Sequence, residues 1–278
     1  MNNLTDLNLI KDELAFTDTR IGQMLVYKND YIISYALIIL GEYCHKEIDI
    51  MCAFLNKDSI YLDIGTNIGY HAKAVHMQSG GCNVIAFEPH PTHFRVAEFN
   101  CRGFPITIYN AAVGDGSTST TTISDFDVSK SENYGEVKMI EGTGITVPLI
   151  KIDDLNLPKC DVMKLDVENQ ELAVLKGSTN TIKKYKPVIF YEAIPDSDYI
   201  GAFDFLSKHG YKQYWCSIIY QHDDTYRKSD TVNFGTMGVV NILAVPKDKE
   251  QPEHLLKVVR NENFSDAVYK YKKKIGTL

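Results

Sequence analysis

Two short stretches hold residues whose types and spacing can do chemistry. "YLDIGTNIGYHA" (Tyr61 to Ala72) carries Asp63, Gly65, Thr66, Asn67, Gly69 and His71. "KLDVENQE" (Lys164 to Glu171) carries Lys164, Asp166, Glu168 and Glu171. The first reads as a strand, a glycine turn and the start of a helix. Glycine tolerates positive φ and lets a ligand come close to backbone. The Asp-x-Gly-x-Asn-x-Gly spacing differs from the Gly-x-Gly-x-x-Gly of dinucleotide sites. Thr66 and Asn67 stand where that fingerprint has its small central residue, and Asn67 fills space that a diphosphate needs. Glu88 ends the next apolar run, "VIAFEP", where an acidic residue suits a clamp on ribose hydroxyls. A carboxylate accepts both hydroxyl protons, and Asp63 suits a cationic group such as an ammonium. A ribose without a diphosphate, joined to a zwitterion, describes S-adenosylmethionine.

The second stretch brings carboxylates to the same sheet edge, joined by Glu192 at the end of "IFYEA". Crowded carboxylates repel one another, which raises at least one pKa and produces a base. Methyl transfer from a sulfonium is largely a matter of alignment. A sugar hydroxyl is a weak nucleophile, and a base that removes its proton contributes about 10²–10⁴-fold. Asp166, Glu168 and His71 are the catalytic candidates. His71 has an ordinary pKa of about 6.5, and a helix N-terminus keeps its ring neutral and able to accept a proton. Each residue also has a structural use. Asp63 and Asp166 suit helix caps, Glu168 and Glu171 suit a first helical turn, Lys164 suits a partner of Asp166 or Glu192, and His71 suits a pocket wall. Asp166, Glu168 and Glu192 are ligands of the right type for a divalent metal such as Mg²⁺, but the spacing does not require one and no metal residue is assigned. His90 and His93 lack further ligands at zinc spacing, so they read as adenine-side packing or exposed residues.

These residues need elements to position them. Apolar runs at Ser59–Ile64, Asn83–Pro89, Ile106–Val113, Cys160–Val167 and Lys186–Ala193 read as strands. Helical patterns at Tyr70–Gln78, Thr92–Cys101, Glu168–Tyr185 (broken near Gly177) and Asp198–His209 separate them. "YKQYWCSII" and "TMGVVNILAV" read as two closing strands without a helix between them. Alternation of this kind predicts an α/β fold, a mostly parallel doubly wound sheet with an antiparallel edge. Residues 1–58 form an extension with a short strand at Ile21–Tyr27 and helices over Tyr31–Leu55. Residues 59–250 form the core domain, and 251–278 a helical tail. The Thr-, Ser- and Gly-rich stretch at about 114–150 reads as a β-hairpin insertion. The polar loop Tyr220–Gly235 could cover an acceptor. Tyr214, Trp215 and Tyr220 could stack on a sugar ring, although core burial is the commoner role.

Quoted in order, "GQMLVYKNDYI", "YLDIGTNIGYHA", "VIAFEPHP", "YNAAVGD", "IDDL", "VMKLDVENQELAVLKGS", "KPVIFYEA" and "NILAVP" run from about Gly22 to Pro246. Together they resemble the FkbM family of S-adenosylmethionine-dependent methyltransferases. The resemblance implies a Rossmann-like class I methyltransferase fold and O-methyl transfer to a hydroxyl of a sugar, a glycan or a glycosylated small molecule. It places Asp63, Gly65, Asn67 and Gly69, with Thr66 between them, on the methionine side of the cofactor. Glu88, followed by Pro89, lies at the ribose and Asn110 and Ala111 near the adenine, and Asp166 closes the set. One position departs from the family, which usually has glycine after Asp-Val-Glu where this chain has Asn169.

Composition narrows the partners. Hydrophobic residues make up 44% and charged residues 23% of the 278, ordinary for a soluble globular chain. A formal net charge of −7 provides no broad basic footprint, which counts against nucleic acid as the partner. A sugar, glycan or glycolipid-like acceptor is expected instead. The basic cluster Tyr269–Leu278 reads as a solvated helix end. Six scattered cysteines include no Cys-x-x-Cys pair, so they are expected as free thiols in a cytoplasmic protein. The apolar run Tyr31–Leu40 is too short to span a bilayer. Competing readings are a methyltransferase acting on RNA, protein or a natural product, a nicotinamide-dependent oxidoreductase, and a non-catalytic binding module on the same fold.

Overall fold

The computed structural model describes residues 7–258 except 9, 194–198, 230, 231, 233, 236, 253 and 254. The chain begins with an antiparallel hairpin of β1 (Leu14–Thr19) and β2 (Gly22–Tyr27). Two helices follow, α1 (Ile33–Leu40) and α2 (His45–Cys52). Gly41, at φ 70°, ends α1 in the left-handed conformation that glycine adopts without a Cβ penalty. The alternating core then runs β3 (Ile60–Ile64), α3 (Tyr70–Gln78), β4 (Asn83–Phe87), α4 (Pro91–Asn100) and β5 (Ile106–Tyr109). After an insertion with β6 (Ala112–Val113), β7 (Thr120–Ile123) and β8 (Ile145–Ile150), it resumes with β9 (Val162–Leu165). Helices α5 (Glu171–Gly177) and α6 (Thr179–Tyr185), β10 (Val188–Glu192), α7 (Tyr199–Lys208), β11 (Tyr211–Ile219), β12 (Gly238–Pro246) and β13 (Leu256–Lys257) complete it.

Eight strands form one sheet in the order β13-β11-β12-β10-β9-β3-β4-β5. The run from β10 to β5 is parallel, while β12, β11 and β13 add antiparallel. All five residues of β3 and all four of β9 are buried, as expected of central strands covered by helices on both faces. From β3 the chain winds outward to β4 and β5, then returns to β9 and winds the other way. The order therefore reverses between β3 and β9, which opens a crevice at their carboxyl ends. No helix among the described residues is long and apolar enough to cross a membrane.

Several boundaries differ from the sequence reading, each for a local reason. The extension starts with a hairpin ahead of its helices. The strand expected over Ile106–Val113 breaks after Tyr109, because the Asn110 amide turns back to donate to the Glu88 and Pro89 carbonyls, both at 2.9 Å. Ala112 and Val113 pair instead with β8, which makes the insertion a three-stranded sheet rather than a hairpin alone. The helix expected from Glu168 starts at Glu171. Glu168 and Asn169 have φ 49° and 74°, so the chain turns sharply before the helix begins. Asparagine tolerates that conformation better than most residues, which explains how Asn169 serves where the resemblance led glycine to be expected. Leu256 and Lys257 extend the sheet edge where a helical tail was expected. Asp198 and residues from 259 onward, including the basic cluster, lie outside the described residues.

The loop after β11 is fastened to the extension. The fully buried Glu42 carboxylate accepts from Arg20 Nε at 2.6 Å and from the Tyr226 backbone at 3.1 Å. His222 Nε2 lies 3.0 Å from the same carboxylate, and His222 Nδ1 is 2.6 Å from Asp224. Lys46 reaches Asp224 at 2.7 Å. The acidic partners raise the His222 pKa. Burial alone would raise Glu42, but His222, Arg20 and the Tyr226 N–H outweigh it and hold the carboxyl below its usual range. The His222 contribution is therefore complete below its ordinary pKa and fades as pH rises through the raised value. The Glu42 contribution holds above the usual glutamate range and fades as pH falls through the lowered one. The loop should be most stable between those limits. Imidazole NMR should titrate His222 above 6.5, and Glu42→Ala should cost about 3 kcal/mol in denaturant unfolding by leaving its cations unpaired.

Candidate active site

A cavity of about 280 Å³ opens at the carboxyl ends of the central strands. Its walls come from the turn after β3 (Gly65, Asn67), the end of β4 (Phe87 to Pro89) and the Ala111–Val113 segment. Asp166 to Glu168 after β9 and Glu192 on β10 continue them. The insertion adds Asn133 and Gly135 to Met139. The extension adds Tyr43 and Glu47, and the closing strands Tyr220 and Asn241.

The turn is held from behind. Asp63 is completely buried and accepts from Tyr61 Oη at 3.1 Å and Thr66 Oγ1 at 2.6 Å. Its carboxylate thereby fixes the turn rather than facing the cavity. Asn67, at φ 51°, donates its backbone N–H to Glu88 Oε2 at 2.8 Å. Glu88 Oε1 accepts from the His90 N–H at 2.9 Å. Burial pushes the Glu88 carboxyl up to about 8, against those two hydrogen bonds. His93 forms the wall beyond it. Its Nε2–H donates to the Tyr134 carbonyl at 2.8 Å and Nδ1 accepts from Tyr27 Oη at 3.0 Å. Burial lowers the His93 pKa to about 3, so the ring is neutral and its tautomer is set by these partners.

Across the cavity stand the carboxylates. Asp166, Glu168 and Glu192 each offer an oxygen within 4.8 Å of the other two. Asp166 accepts from Lys164 Nζ at 2.8 Å, and Lys164 is buried beneath it. Burial disfavours that cation, yet Asp166, Asp63 and Glu47 raise its pKa. Burial, then the Asp166 charge, lifts Glu168 to about 7. Glu192 is raised by burial and by the neighbouring Asp166, Glu168 and Glu171. Glu47 accepts from Asn241 Nδ2 at 2.5 Å and pairs with His71 Nε2 at 3.2 Å.

The structure gathers Gly65, Asn67, Glu88, Pro89, Ala111, Asp166 and Glu168 around one cavity. It does not place Asp63, Thr66, Gly69, Asn110 or His71 on its walls. Asp63 and Thr66 brace the turn and Asn110 braces the Glu88 strand end. Gly69, at φ 83°, packs on α4, where an added Cβ would come within 2.9 Å of Cys101 Sγ. His71 sits behind Glu47, flanked edge-on by Tyr43 and Tyr70. Tyr214 and Trp215 are buried core residues of β11. Sequence reasoning missed Glu47, Asn241 and the insertion wall. Their contacts join positions far apart in the chain, for which one sequence carries no local signal. His93 and Tyr220 were noticed but not assigned to the site.

A reversed parallel sheet with a ligand cavity at its switch point is the arrangement of a Rossmann-like methyltransferase. The chain belongs to the methyltransferase FkbM domain family, whose model matches residues 63–213. That membership sets aside the oxidoreductase reading. The chain is 35% identical over 137 residues to the Hexuronic acid methyltransferase AglP of Haloferax volcanii, covering 48% of this chain and 55% of that one. The match thus spans about half of that curated relative. Among solved structures it is similar to the methyltransferase FkbM of Methylobacillus flagellatus KT, at 17% identity and TM-score 0.46, covering 68% of this chain and 44% of that one. It is also similar to the Precorrin-6y C5,15-methyltransferase of Geobacter metallireducens GS-15, at 16% identity and TM-score 0.46, covering 72% and 88%.

Gly65 decides the geometry between the two halves of the site. It has φ 86°, and a Cβ there would collide with the Asp166 carbonyl oxygen. Gly65→Ala should lower stability by about 3 kcal/mol through left-handed strain and strand displacement. Chemical denaturation measures the loss, which Gly80→Ala, at a similar φ of 80° but with open space around it, should show only in part.

Proposed function

We propose that the protein moves a methyl group from S-adenosylmethionine to a hydroxyl of a sugar or glycan. The observation that carries this reading is Glu88. Its carboxyl is fixed by two backbone N–H groups in the cavity wall, beside the Gly65–Asn67 turn. Glu88 would hold the ribose hydroxyls, Gly65 and Asn67 the methionine portion, and Ala111, Val113 and Met139 the apolar face of the adenine. The cofactor, when bound, supplies an electrophilic methyl on its sulfonium. Membership of a methyltransferase family and a relative named for a sugar acid support the assignment.

The chain's own residues do the rest. Lys164 holds Asp166 in one orientation, and Asp166 in turn keeps Glu168 basic. Glu168 is the group best suited to take the acceptor proton, since a base works best with a pKa near the working pH. Asp166 orients the hydroxyl, and Glu192, protonated at neutral pH, can donate to a neighbouring oxygen. His71, with Nε2 3.2 Å from Glu47, stands behind it and is assigned to positioning. The acidic surround supports a sugar over RNA, because phosphates would meet carboxylates here.

Isothermal titration with S-adenosylhomocysteine tests the cofactor. Glu88→Ala should weaken binding about 10- to 100-fold, the range for a lost pair of buried hydrogen bonds. No binding to the unaltered protein at millimolar ligand would sink the reading. With an acceptor in hand, kcat/KM should rise with pH through about 7 and then level, as Glu168 must be deprotonated to act. Glu168→Gln should reduce kcat about 10²–10⁴-fold with cofactor affinity intact. Chelation by EDTA should leave turnover unchanged, whereas loss restored by Mg²⁺ would assign the carboxylate trio to a cation.

A further inference from the structure

The two ends of the cavity carry different chemistry. Glu88 lies on the β4 side of Gly65, while Glu192, Asn241 and Glu47 gather on the β10 and β12 side. Glu192 and Asn241 are Cα partners across those strands, and Asn241 is tied to the buried Glu47. Planar polar groups thus face the acceptor end from two strands and a helix. Beside them Tyr43 and Tyr220 contact each other at 5.2 Å between ring centroids, and both line the cavity.

The charge at this end is one-sided. Glu47, Asp166 and Glu168 line it as carboxylates, beside the protonated Glu192. Lys138 is the one cation on the cavity wall among the described residues, and it is committed to Glu136 at 3.6 Å and Glu168 at 3.9 Å. Lys164 is buried under Asp166 and does not reach the wall. A carboxylate on the acceptor would meet the charges of Glu47 and Asp166 and, above pH about 7, of Glu168, with no free cation on the wall among the described residues. A sugar hydroxyl finds acceptors for its proton, and the tyrosines offer an apolar face for the ring.

We infer that this end of the cavity is a subsite for an uncharged sugar ring, with Glu47, Glu192 and Asn241 reading its hydroxyls and Tyr43 and Tyr220 flanking it. The inference rests on the sugar-acceptor reading above and narrows it. It separates this chain from a relative named for a hexuronic acid.

Binding of matched methyl glycosides tests it, using glucose with glucuronic acid, galactose with galacturonic acid and mannose with mannuronic acid. Saturation-transfer NMR and competition titration are run on the full chain with and without S-adenosylhomocysteine. At least one neutral ring should bind tenfold or more tightly than its acid partner. Glu47→Gln, checked for folding by circular dichroism, should shrink that ratio, whereas Glu192→Gln, which removes no charge, should leave it. Equal binding within every pair, preference for the acid, or no neutral ring bound would overturn the subsite. Failure of S-adenosylhomocysteine to bind overturns only the cofactor assignment, since the sugar arm is read in the cofactor-free protein as well.

Discussion

One buried cation organises the reaction end of this protein. Lys164 lies opposite Asp63 in the β3–β9 register and bonds to Asp166 at the strand end. Removing an ammonium from water is costly unless charges of opposite sign surround it. Here Asp166, Asp63 and Glu47 do so. The arrangement works both ways. The carboxylates keep Lys164 charged, and Lys164 lets several acids crowd a cavity without dispersing. Burial, with what remains of their repulsion, raises Glu168 and Glu192. Two carboxyls with raised pKa values therefore arise in the same crowd.

The cofactor half is fixed by shorter links. Asp63 and Thr66 stiffen the turn, Asn67 hands its N–H to Glu88, and Asn110 grips the strand beneath it. Several residues that look like ligand contacts in the sequence are instead the framing that aims Glu88. A carboxyl with both oxygens already held pays little further entropy when a ligand arrives, which is the physical content of preorganisation.

Legibility in the sequence followed the range of each contact. The β3–turn–α3–β4 unit was readable because its pattern is local, and the helix Tyr70–Gln78 emerged with its expected bounds. Asp166 and Glu168 were readable as strand-end acids. The direction of Asp63 was not, since it depends on Tyr61 and Thr66 rotamers. His71 looked like a base from its place after the turn. Only the fold reveals Glu47 between it and the cavity. The insertion was legible as β structure, but its service as a cavity wall depends on β8 pairing with β6 and on where that pairing hangs the segment Asn133–Met139.

The contacts that build the acceptor wall span long stretches of chain. Glu47 reaches Asn241, 194 residues on, and the loop beside it is tied by Glu42 to Tyr226, 184 residues on. Strands β3, β4 and β5, by contrast, follow one another directly. During synthesis the Glu88 side can therefore assemble while the opposite wall is still unmade, because its second half has yet to leave the ribosome. Until β12 docks, Glu47 has no Asn241 and the acidic cluster faces water. The Glu88 wall of the cavity can thus form well before the wall built by Glu47 and Asn241.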